Sequence, residues 1–339
     1  MKAEQKILGC LIGGAAGDAL GYAVEFWGEK QISNVYGEAG IREYSLIDGE
    51  AKISDDTQMT HFTAAGILLA DHPEVYTSFI CGQYQACREW LMTQERGNIK
   101  PKTWLYEIPE MHARRAPGIT CLNALKGKEM GGIYEPVNNS KGCGGVMRVA
   151  PIGLFYTTER LSIEEIDSMG AGAAAITHGH PLGFLPAAGL VHIIQRICHN
   201  SDMSLLEAVE DMIDVVPGLY PDFEGFNQVF ETLMRRAVHL SKTEMSDLDA
   251  IHELGEGWVG EEALAIAVYC ALKHEQDFDA AICASVNHKG DSDSTGAITG
   301  NILGAYLGYD GIPEKYIQNL EMREVIERMA VELSEKAPE

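Results

Sequence analysis

The chain has 339 residues, 46% of them hydrophobic, and a formal charge of -24 that sets 50 Asp plus Glu against 26 Lys plus Arg. That length can bury a large core, and the acidic balance opposes nonspecific nucleic-acid binding while leaving room for a small, locally positive pocket. No run of about 18 uncharged apolar residues marks a membrane span, Asp18 and Glu25 interrupt what a secretory signal would need, and eight scattered cysteines without C-x-x-C spacing fit a reducing, cytoplasmic home.

The residue pattern predicts helices almost throughout. Residues 6–24 are apolar and rich in small side chains: Gly9, Gly13, Gly14, Ala15, Ala16, Gly17, Ala19, Gly21 and Ala23. Each helical Gly costs about 1 kcal/mol against Ala, so this segment is stable only if tightly packed. A second helix begins at Asp55 or Asp56 and runs to about residue 70, with acidic residues satisfying its free N–H groups. Helices are expected around 74–96 and 119–125, with irregular stretches at 97–104 and 126–140, then a loop at 141–145 and an apolar segment at 146–155.

Ser162 with Glu165, and Ser204 with Glu207, form capping-box patterns that each introduce a helix. Residues 181–197 read as a central helix and 223–239 as an amphipathic one. Residues 261–272 and 292–307 are late apolar helices, and 314–334 reads as one charged outer helix. No internal repeat, linker or strand–helix alternation appears, so one compact all-α domain over 1–339 is expected. The small-residue clusters near both ends predict that the two ends pack together.

Two acidic segments stand at the starts of apolar helices: Ser54-Asp55-Asp56-Thr57 and Asp291-Ser292-Asp293-Ser294-Thr295. A helix N-terminus eases one or two negative charges by about 0.3–1 kcal/mol each. Four carboxylates in one pocket would share protons or bind cations. Asp55, Asp56, Asp291 and Asp293 sum to -4, which two divalent ions would neutralise, and Asp and hydroxyl oxygens suit hard magnesium better than zinc. The plain alternative is two helix caps with solvated neighbours.

The segment Lys141-Gly142-Cys143-Gly144-Gly145-Val146-Met147-Arg148 places three glycines in four positions. Such a loop exposes N–H groups, permits positive φ and can cradle a pyrophosphate, with Lys141 or Arg148 supplying charge. It lacks the P-loop and dinucleotide-fold patterns, and a plain turn is the alternative. Nothing near Cys143 in sequence supplies a base for a nucleophilic thiol. Glu25 ends an apolar run at a possible site rim or is a surface carboxylate. His178 and His180 close an alanine-rich helix as C-terminal caps or touch substrate.

In combination these segments, with Gly17-Asp18-Ala19-Leu20-Gly21, Glu25-Phe26 and Thr177-His178, resemble the ADP-ribosylglycohydrolase family, the proteins like dinitrogenase reductase-activating glycohydrolase. The landmarks span residues 9 to 308 in the family's order. The resemblance implies an all-α orthogonal bundle with two magnesium ions (manganese in their place being possible) in a central cleft. It assigns the metals to Ser54, Asp55, Asp56, Asp291, Asp293 and Ser294. It assigns catalysis to Glu25, Asp55, Asp56 and Asp293, with Glu25 as the glutamate that closes over the metals in some relatives. Substrate contacts fall on Lys141, Gly142, Cys143, Gly144, Gly145, Met147 and His178.

Two departures stand out: Ser54 where the family usually has Thr, and Lys289 where it often has Gly. The implied reaction removes ADP-ribose from a modified protein side chain, arginine first. The alternatives are O-linked conjugates such as serine or O-acetyl-ADP-ribose, or a noncatalytic ADP-ribose-binding module.

Overall fold

Residues 2–95 and 99–337 are described, in a computed structural model. They form sixteen α-helices and, among the described residues, no strand beyond isolated bridges. In chain order these are α1 (Ala3–Tyr22), α2 (Glu29–Tyr36), α3 (Asp55–Leu69), α4 (Tyr76–Gln94), α5 (Ile119–Lys126), α6 (Ala150–Phe155), α7 (Ile163–Ala175) and α8 (Pro181–His199). They continue as α9 (Leu205–Val215), α10 (Glu224–Ser241), α11 (Asp247–Leu254), α12 (Gly260–Lys273), α13 (Phe278–Val286), α14 (Ser292–Leu307), α15 (Glu314–Ile317) and α16 (Arg323–Lys336).

The architecture is all-α, as the patterning predicts. Both capping boxes form: Ser162 and Glu165 open α7, and Ser204 and Glu207 open α9, each pair exchanging side-chain and backbone hydrogen bonds. The expectations at Arg96 and Gly97 lie outside the described residues.

The seam between α1 and α14 organises the molecule. A methyl group on Gly9, Gly13 or Gly17 would overlap the carbonyl oxygen of Gly304, Gly300 or Gly296 respectively. The helices therefore run antiparallel with their backbones in contact along a four-residue ridge. Close packing offsets the helical cost of these glycines. The seam joins the chain's two ends, as the small-residue clusters predict. It also sets the last turn of α1 against the first turn of α14, since Gly21 faces the Ser292 carbonyl.

Helix α8 is the one helix among the described residues long and apolar enough to cross a membrane, and 94% of its most apolar window is buried inside the protein. It packs against α6, α7, α9, α10, α12 and α14, which accounts for its composition. All eight cysteines are free thiols.

The predicted single helix over 314–334 is two. Between α15 and α16, Asn319 and Met322 adopt φ of 62° and 63°, conformations that end a helix. The break lets Ala51 N–H donate to the Asn319 carbonyl (2.8 Å) and Glu321 N–H to the Ala51 carbonyl (3.1 Å). Glu321 thereby turns inward, 2% exposed, onto Arg115, Lys52 and the Ile53 N–H. Tertiary contacts override helical periodicity here.

Candidate active site

Two helix starts and the end of a third converge on one cleft. Its volume is about 560 Å³, and its walls include Glu25, Asp55, Asp56, Asp291 and Asp293. The acidic segments near residues 55 and 292 thus meet in space.

Helix α3 is aimed by a carboxylate from another helix. Asp18, fully buried in α1, accepts the Ser54 N–H (2.9 Å) and the Thr57 N–H (3.1 Å), caps that a local Ser or Asp usually provides. The Ser54 hydroxyl accepts the Asp56 N–H at 3.1 Å. A loop then clamps Asp55: its N–H donates to the Arg115 carbonyl (3.1 Å), and its Oδ2 accepts the Gly118 N–H (3.2 Å). Arg115 is itself held by a two-pronged ion pair with Glu321, both contacts at 3.0 Å.

Helix α14 starts from a different device. Gly290 has φ of 146°, and a side chain there would strike the Glu256 backbone, so only glycine fits. That turn brings the Asp291 N–H to the Glu256 carbonyl at 2.9 Å. Asp291 makes no cap with its own side chain. Its Oδ2 instead accepts the Cys143 thiol at 2.7 Å, and Asp293 Oδ1 accepts the Ser294 N–H at 3.0 Å. Glu25 arrives from the turn after α1. Glu25, Asp291 and Asp293 each place a carboxylate oxygen within 4.8 Å of the others.

These acids share one electrostatic problem. Burial first, then Asp291 and Asp55, pushes Glu25 up from 4.5 to about 8. Burial raises Asp55 from 3.8 to about 8, with Asp18 and Asp291 adding and the Gly118 N–H opposing. Asp56 and Asp293 also lie well above the usual carboxylate range, through burial first, then through Asp18 and Asp55 at Asp56 and through Asp56 and Asp291 at Asp293. No Lys or Arg lines the cleft among the described residues. Glu25 Oε2 and Asp56 Oδ2 are buried without a hydrogen-bond partner. Hard oxygen donors, excess negative charge and unpartnered buried oxygens fit a divalent cation.

The whole chain, residues 1–339, matches the sequence profile of the family described as ADP-ribosylglycohydrolase. The chain belongs to the ADP-ribosylglycohydrolase family. It is an enzyme of the hydrolase type that defines the family. It is 28% identical to an uncharacterized protein of Archaeoglobus fulgidus over 98% of this chain and 97% of that one. It is 25% identical to the ADP-ribosylarginine hydrolase Tri1 of Serratia proteamaculans over 98% of this chain and 80% of that one. In fold it resembles a solved ADP-ribosylglycohydrolase-related protein complex, with a TM-score of 0.61, 20% identity and 99% of each chain covered.

In this ADP-ribosylglycohydrolase, Gly142, Cys143, Gly144, Met147, His178 and Ser294 also line the cleft. Ser54, Lys141 and Gly145 are not on its wall. Ser54 is wholly buried in the cap of α3. Lys141 is ion-paired to Glu261. Gly145 packs where a methyl would sit 2.7 Å from the Gly183 carbonyl oxygen.

The glycine loop works differently from expectation. Positive φ is absent at Gly142, Gly144 and Gly145, and residues Cys143–Gly145 form a 3-10 turn. Glycine is needed there for close packing: a Gly144 methyl would lie 3.0 Å from both Cys121 Sγ and His178 Cε1. Arg148, proposed from sequence as a pyrophosphate contact, is 1% exposed and braces the loop from behind. It donates to the Gly144 carbonyl (2.8 Å), the Ala173 carbonyl (3.1 Å) and Thr177 Oγ1 (2.8 Å).

His178 is not a helix cap. It is buried at the cleft wall with Nδ1 2.9 Å from Thr177 Oγ1. Burial and then Arg148 lower it to about 3, so it stays neutral. His180 caps the start of α8 instead, accepting the Leu182 N–H at 3.0 Å. Lys289 pairs with Glu256 at 2.9 Å and lies off the cleft wall.

Sequence reasoning missed the braces: the role of Asp18, and Arg115, Gly118 and Glu321 altogether. The one available signal was Asp18 itself, an acid inside an otherwise apolar helix.

Proposed function

We propose that this protein hydrolyses the glycosidic bond joining ADP-ribose to a protein arginine, using two magnesium ions. The observation that carries the reading is five carboxyl groups converging in a cleft without a lining Lys or Arg. Asp55, Asp56, Asp291 and Asp293 would hold the ions, with Ser294 beside them and Ser54 behind Asp56. Bound magnesium supplies Lewis acidity and fixed positive charge for the ribose hydroxyls and the attacking water.

The chain's own groups do the rest. Burial keeps Glu25 protonated near neutral pH, so it can give a proton to the departing guanidine or exchange one with water. Asp55, held by the Gly118 N–H, would accept a water's proton only where a bound cation has displaced its own. Neutral His178 with Gly142, Cys143 and Gly144 would form the wall for the sugar-phosphate portion. Cys143 is not a nucleophile: burial, then Asp291 and Asp56, hold its thiol well above the usual range, and it donates to Asp291.

Arginine is chosen because the Serratia relative is named for that linkage and matches almost the whole chain. The test is side-by-side release of ADP-ribose from arginine-linked, serine-linked and O-acetyl conjugates, with magnesium, with manganese and after chelation. Fastest metal-dependent release from arginine supports the proposal. Preference for an O-linkage replaces the substrate, and undiminished turnover in chelator removes the metals from the mechanism.

A further inference from the structure

We infer that Phe26 and Trp258 form a clasp that fixes Glu25 over the carboxylate cluster, which makes both aromatic residues positioning residues for the reaction. The inference rests on the proposed role of Glu25 and adds the device that keeps it in place.

Glu25 occupies a turn outside any helix. Helix α1 ends at Tyr22, α2 begins at Glu29, and the turn between them is bonded from the Val24 N–H to Gly21 and from the Trp27 N–H to Val24. Glu25 is 7% exposed and faces Asp291 and Asp293, while Phe26 beside it is 72% exposed.

The Phe26 ring stacks on Trp258, with centroids 6.0 Å apart and planes 17° from parallel. Both rings line the mouth of the cleft. An exposed phenyl ring gains little from the core, so this stack is its main attachment. Trp258 is the fixed half of the clasp. Its carbonyl accepts the Cys143 N–H at 3.2 Å, the neighbouring Val259 bridges to Gly142, and Gly257 holds a φ of 82° that a side chain would strain. The stack therefore fastens the Glu25 turn to the glycine-loop wall, across the cleft's opening. A second tie lies outside it: Glu29 pairs with His252 and accepts the Lys289 N–H at 3.4 Å.

The test compares Phe26→Ala, Phe26→Trp, Trp258→Ala, Glu25→Ala and the Glu25→Ala/Phe26→Ala double variant. Phe26→Ala is expected to lower kcat about three- to tenfold, the size of one aromatic pair, with KM little changed. Phe26→Trp restores the rate. In the Glu25→Ala background, removing Phe26 costs nothing further. Amide hydrogen exchange across residues 24–28 speeds up in Phe26→Ala, and the tryptophan emission changes as Trp258 loses its partner.

A rise in KM at constant kcat, or an additional loss in the Glu25→Ala background, overturns the clasp and makes Phe26 a substrate contact. Unchanged exchange across 24–28 overturns it whatever the activity shows. Normal turnover by Glu25→Ala alone sinks the proposed role of Glu25, and the exchange measurement then decides the clasp by itself.

Discussion

The starts of α3 and α14 carry nearly the same chemistry, two carboxylates and a hydroxyl, yet they are built in opposite ways. Backbone donors surround the first: Asp18 receives Ser54 and Thr57, Ser54 receives Asp56, and Gly118 reaches Asp55. The second has a glycine turn and few donors, a thiol for Asp291 and its own backbone for Asp293. The α3 side is tightly framed by these donors, although Asp56 Oδ2 is left without a partner. The α14 side, with Glu25 above it, holds repelling charge that a cation would relieve. Identical side chains thus differ in how many neutral donors reach them; under the proposed function both pairs would hold the ions, with Asp18 as the brace behind α3.

The same substitution should separate the two roles. Asp293→Asn is expected to lower turnover about a hundredfold, the upper range for disturbing a metal site. It should leave the metal-free protein at least as stable, because an amide removes one repelling charge; calorimetry and steady-state rates read both. Asp18→Asn places an N–H against the donors that Asp18 accepts, and urea unfolding should show a loss of about 2 kcal/mol. If both variants lost stability equally, the distinction between brace and ligand would fail. Gly13→Ala tests the seam beneath both helices. The methyl would overlap the Gly300 carbonyl oxygen, and a loss of about 2 kcal/mol is expected from overpacking.

The smallest effect is a pH dependence. Glu25 and Asp55 both sit near 8 in the folded protein, above their ordinary values of 4.5 and 3.8. Groups raised in this way contribute stability that is fully present below their ordinary values and is lost as pH rises through about 8. Metal-free protein should therefore lose this contribution between about pH 4 and about pH 8. Saturating magnesium should raise Tm more at pH 8 than at pH 5, because the ions bind the deprotonated groups. Equal Tm shifts at the two pH values would place the ions away from these carboxylates.

Much of the fold was legible because it rests on local rules. The capping boxes at Ser162 and Ser204, the small-residue runs in α1 and α14 and the apolar α8 each declare a helix. The break at 318–322 was not legible, since Glu321 is pulled inward by Arg115 and Lys52, which lie some 200 residues away or more in the chain. Arg148 misled for a similar reason. A cation beside a glycine loop reads as a phosphate contact until its donors are seen to be consumed by Gly144, Ala173 and Thr177. Lys141 is likewise neutralised by Glu261 from a remote helix.

By itself the sequence determined that acidic clusters stand at two helix starts and that glycines recur every four residues in α1 and α14. Periodicity and capping depend on neighbours a few residues apart. Only the tertiary structure decided which carboxylates face the cleft, which cations are spent inside the protein, and that Phe26 meets Trp258 across its mouth. Those outcomes turn on burial and on donors supplied by distant segments, which become fixed only when the helices pack.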